Sequence, residues 1–105
     1  MTEVSRAYTE EEVRQKFLDK LHQLSKYWAT LETERSIQER CDGLVFSILN
    51  VFDGTTVDLP AMDISLSPHP DDKNFHKEEG TNWFKPKMVI NDCMLHDLWY
   101  NPKPN

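Results

Sequence analysis

Few residues of this 105-residue chain have the type and spacing to do chemistry. Cys93 and His96 stand three positions apart. On a helix that spacing places them on one face, where an imidazole can deprotonate a thiol nucleophile. Cys41 has no Cys or His within short reach, which argues against a zinc role there. The string Ser67-Pro68-His69-Pro70-Asp71-Asp72 gathers one imidazole and two carboxylates within four positions, and His76 follows four beyond Asp72. If that stretch is helical, Asp72 and His76 share a face. Pro-Asp-Asp is also an ordinary way to begin a helix, with acids at the positive end of the dipole.

The same string resembles the His-Pro-Asp-Asp signature of the zinc-dependent N-acetylglucosamine deacetylases, which also follows a strand. The resemblance implies His69 and Asp72 as zinc ligands and Asp71 as general base, with His76 positioned to complete a metal site. It covers four residues. Lys73 stands where that family usually carries another acid, only His96 follows beyond His76, and the family's doubly wound fold is about twice as long. The segments LVFSILNVFDG, SPHPDDKNFH, NWF and LHDLWY, between Leu44 and Tyr100, are also similar to small bacterial and mobile-element proteins of unassigned function.

Composition excludes more than it assigns. There are 18 acids against 12 bases, a net charge of −6, so neither a basic nucleic-acid footprint nor a polybasic membrane anchor is present. No unbroken apolar run exceeds the length of Leu44-Val45-Phe46, far short of a membrane span. The first residues lack a basic-then-apolar signal-peptide layout, so a cytoplasmic protein with reduced thiols, at least one of them buried, is the expectation. The acids Asp63, Asp71, Asp72, Glu78 and Glu79 lie in the second half with Trp83 and Trp99, and together they are the candidate partner-binding residues. Such a surplus keeps a chain soluble, or it forms a face for a basic protein, as in inhibitors that mimic nucleic acid.

Those residues need elements to position them. Thr9 and Glu12 form a capping-box pattern, and Val13, Phe17, Leu21, Leu24, Trp28 and Leu31 make one stripe at helical spacing. A helix over 9–31 follows. Ile37, Cys41, Leu44, Ile48 and Phe52 continue the period into a second helix that ends at Gly54, with a turn around 32–34. Gly43 inside it would let the first helix approach closely. Met62, Ile64 and Leu66 alternate with polar residues as in a half-buried strand, and Lys87 to Ile90 could pair with it antiparallel. Asp71 to Glu79 reads as a short helix closed by Gly80, and Cys93 to Tyr100 as a final helix or strand.

The expected fold is α+β: one domain over 9–100, a helical hairpin on a small antiparallel sheet, between a flexible leader (1–8) and tail (101–105). Apolar residues make up 38%. With glycine the share is about 41%, against ~45–50% in ordinary domains, so the core should be thin. A homodimer would relieve that shortage. The functional expectation is a small acidic interaction protein, with no cofactor and no direct contact to nucleic acid or membrane. A zinc hydrolase and an acidic nucleic-acid mimic are the alternatives.

Overall fold

The computed structural model describes residues 5–100. Residues 1–4 and the tail expected at 101–105 lie outside them. Four helices hold 54% of the described residues: α1 (Glu10–Thr30), α2 (Ile37–Asp53), α3 (Asp72–Glu79) and α4 (Leu95–Tyr100).

α1 begins as its sequence dictates. Thr9 Oγ1 accepts from the Glu12 amide, and the Glu12 carboxylate accepts from the Thr9 amide. Arg6 pairs with Glu12 at 2.8 Å and, with help from the Thr9 amide, holds that carboxyl at about 2. The whole predicted stripe, Val13 through Leu31, is half-buried. α2 carries a second capping box, Ser36 with Glu39, and ends at Gly54 with φ 79°. A side chain at Gly54 would also run into the Ala61 backbone, 2.7 Å from an added Cβ, so space and dihedral both require glycine there.

Arg40 closes the hairpin. α1 has no basic residue in its last turn, so its final carbonyls need donors from elsewhere. The Arg40 guanidinium donates to the Trp28 carbonyl at 2.7 Å and the Leu31 carbonyl at 2.6 Å. Lys20 then ties α1 to the connector through Asp58 at 2.8 Å.

α2 is the centre of the molecule, packed against α1 on one side and α4 on the other. Phe17 meets Phe52 across the first contact, and Phe46 meets His96 and Tyr100 across the second. This explains why the buried positions depart from the predicted stripe. Gly43 and Val51 are buried, whereas Ile37 is 82% exposed and Cys41 is exposed. One stripe describes a helix with one neighbour; α2 has two.

The expected α+β fold is not what forms. Among the described residues strand content is 2% and there is no sheet. The two alternating stretches do meet, through one antiparallel bridge, Ser65 with Val89. Leu66 donates to Met88 at 2.9 Å, Lys87 to Leu66 at 2.7 Å, and Ile90 to Ile64 at 2.9 Å. Growth beyond this is blocked at both ends. The Asn91 side chain takes the next rung, accepting from the Ile64 amide at 2.7 Å and donating to the Met62 carbonyl. At the other end Lys87 turns away with φ 62°, directly after Pro86. What remains is a two-stranded stem, too small to be covered as a layer.

The expected burial of a thiol fails as well, since Cys41 and Cys93 are both exposed. The 93–100 segment resolves as helix from Leu95, with Leu95 and Leu98 half-buried and Trp99 39% exposed. Asn91→Leu leaves the half-buried Ile64 amide without an acceptor, at a cost of about 1–2 kcal/mol. Amide hydrogen exchange at Ile64, Leu66 and Ile90 is expected to accelerate together, while the α1–α2 amides keep their protection.

Candidate binding cleft

The stem carries the residues between its strands, 67–86, away from the helical body. α3 lies in this arm and touches none of the other three helices. An eight-residue helix is marginal in water on its own, so its local supports matter. Asp71 supplies no side-chain cap. Trp83 supports the helix instead, with the ammonium groups of Lys73 and Lys77 each 5.6 Å from its ring centroid. At the far end the His76 ring shares a 2.7 Å hydrogen bond with Thr81 Oγ1.

Between the Pro68–Asp72 turn and the 83–86 loop the arm opens into a cleft of about 460 Å³. Pro68, Pro70 and Pro86 form rigid walls, Trp83 and Phe84 give aromatic surface, and Lys73, Lys85, His69 and Asp72 supply polarity. Trp83 is 39% and Phe84 68% exposed, so both rings are open to a ligand.

The sequence candidates scatter across this geometry. His69, Asp72 and Trp83 line the cleft. Asp71 is exposed at its edge, and its amide donates to His69 Nδ1 at 3.1 Å, occupying one of the two nitrogens a metal could use. His76 turns to Thr81 instead of joining His69 and Asp72. Among the described residues no three His, Cys, Asp or Glu side chains come together as a metal site. Glu78 and Glu79 are exposed at the end of α3. Asp63 lines a different cavity, of about 250 Å³, with Asp53, Asn91 and Cys93. Trp99 lies on α4 against Tyr100. The acids thus share no single face, and the arm from 67 to 86 sets three lysines against its four acids.

Cys93 and His96 do not form a nucleophilic pair. His96 Nδ1 lies 2.6 Å from Asp53 and its Nε2 lies 3.3 Å from Asp97, so both ring nitrogens face carboxylates. Asp53 also accepts from the amides of Leu95 and His96 at 3.0 and 2.8 Å. Burial alone would push this carboxyl up; the His96 amide and ring together with the Leu95 amide outweigh it and hold the group below the usual carboxylate range. The arrangement is a clamp joining α2 to α4. Neither Asp53 nor Arg40 stood out in the sequence, because each acts on a segment distant along the chain or at the end of another helix.

No protein-family model matches the chain, and no curated protein or solved structure matches it. No helix among the described residues is long and apolar enough to cross a membrane.

Proposed function

We propose that this chain is an interaction module whose arm, residues 67–86, binds another polypeptide in the cleft beside Trp83 and Phe84. One observation carries the reading: aromatic and proline surface is displayed beside α3, a helix that packs against none of the others. Apolar surface held out in this way marks a binding site more often than an accident of folding. Tryptophan is the residue most enriched among those that dominate binding energy. The prolines fix the walls before a ligand arrives, which reduces the ordering cost of association. Lys73 and Lys85 favour a ligand with carboxylates beside its apolar groups.

Selection of a displayed random-peptide library on the immobilised full chain tests this. A family of acidic, aromatic- or proline-containing peptides is expected to be enriched, and to be lost on Phe84→Ser. Enrichment of nothing by a chain that is monomeric in solution, or of peptides indifferent to Phe84, overturns the reading.

A further inference from the structure

We propose that the polypeptide seated in the cleft is a second copy of this chain, the arm of each copy lying on the helical body of the other. The inference rests on the reading of the arm as a binding surface, and names its occupant.

Surface area gives the first reason. The chain exposes 8991 Å², whereas a folded monomer of 12.4 kDa is expected to expose about 6,100 Å². If the nine residues outside the described span are counted at full exposure, about 1,400 Å², a surplus of about 1,500 Å² remains. Two copies each covering that surplus would bury about 3,000 Å² in total, within the range of permanent homodimers. The shape agrees: the radius of gyration is 18.5 Å, against about 13 Å for a compact chain of this length. The body cannot absorb the surplus internally, because among the described residues only Val51 and Leu59 form its buried apolar core and α1 has no buried residue.

Charge gives the second reason. The arm, 67–86, carries four acids against three lysines, so five of the six net negative charges belong to the rest of the chain. Lys73 and Lys85 at the cleft, and Lys77 over Trp83, therefore meet an acidic surface in a second copy's body. α3, which carries Lys73 and Lys77, packs on none of its own chain's other helices, so this match is open to a second copy. Reciprocal exchange of the two arms closes under a twofold axis and leaves no free arm to propagate a fibre.

Sedimentation equilibrium of the full chain decides it. At about 50 µM the expected mass is twice 12.4 kDa. Phe84→Ser, and separately the double charge reversal Lys73→Glu with Lys85→Glu, are expected to raise the dimer dissociation constant about tenfold or more. Phe84 is already 68% exposed, so its loss leaves the far-ultraviolet circular dichroism unchanged. Raising sodium chloride from about 50 to about 500 mM weakens the dimer in the same direction. A monomer at about 100 µM, or a dimer that neither variant weakens, overturns the proposal. A monomer that still enriches peptides through Phe84 removes the second copy alone; one that enriches none removes the cleft reading too.

Discussion

Asp53→Ala detaches α4 and lowers stability by about 3 kcal/mol, since it leaves buried donors without an acceptor. The Asp53 side chain is 1% exposed and answers three donors: the Leu95 amide, the His96 amide and the His96 ring. Its position looks wrong for its own helix. As the last residue of α2 it stands at the negative end of that dipole, where a carboxylate is unfavourable. It is nevertheless correct for α4, whose first free amides it caps. Truncation therefore releases α4 and also removes the support beneath the Phe46 ring contacts with His96 and Tyr100. For a chain of ordinary marginal stability, ~5–15 kcal/mol, such a loss is severe.

The same clamp sets an acid limit. The folded Asp53 carboxyl lies below its unfolded value, so its contribution is complete above about pH 4 and is lost as pH falls through the folded value. Urea unfolding between about pH 2.5 and 5 is expected to show that loss in the wild type. Asp53→Asn keeps an acceptor without the charge, and should be less stable at neutral pH and flatter across the acid range. An acid profile identical in the two proteins would show that Asp53 does not hold the clamp.

Local rules made the helices legible. Thr9 with Glu12, the stripe from Val13 to Leu31, and Gly54 after Asp53 each act within a few residues, and each is where the pattern requires it. Ser36 with Glu39 follows the same capping rule and was equally readable. The strand reading failed for a reason that alternation cannot express. Met62, Ile64 and Leu66 do alternate, but the number of rungs depends on Asn91, a side chain about 27 positions away that ends the ladder. The second face of α2 was hidden likewise, because α4 arrives from 42 residues further on. At the candidate site, Pro68, His69, Pro70 and Asp72 of the singled-out string line the cleft. His69 and Asp72 line that cleft with Trp83 and Phe84, while the His76 ring bonds to Thr81. Local spacing carries no signal of Trp83 and Phe84 arriving beside that string, because they come from the far side of α3.

Gly43→Ala is the second large effect, and two magnitudes compete in it. Alanine favours a helix interior over glycine by about 1 kcal/mol, so on an open surface the change would stabilise α2. Here an added Cβ meets the Trp28 ring at 2.4, 2.5 and 2.7 Å, distances at which something must move. The ring is not free to do so. Its Nε1 donates to Ser47 Oγ at 2.9 Å, its backbone carbonyl is held by Arg40, and the Arg35 guanidinium lies 5.5 Å from its centroid. Overpacking of a fixed aromatic costs about 1–3 kcal/mol, and displacing the indole also gives up a hydrogen bond worth about 1 kcal/mol. Gly43→Ala is therefore expected to destabilise the protein by about 1–3 kcal/mol net. The decisive measurement repeats it in a Trp28→Ala background. With the ring gone only propensity remains, so there the same substitution should stabilise by up to about 1 kcal/mol. That reversal of sign between backgrounds, read from paired urea titrations, is what close approach of α1 and α2 at Gly43 demands. Equal effects in both would mean that the indole yields without cost and that this contact does not set the spacing of the hairpin.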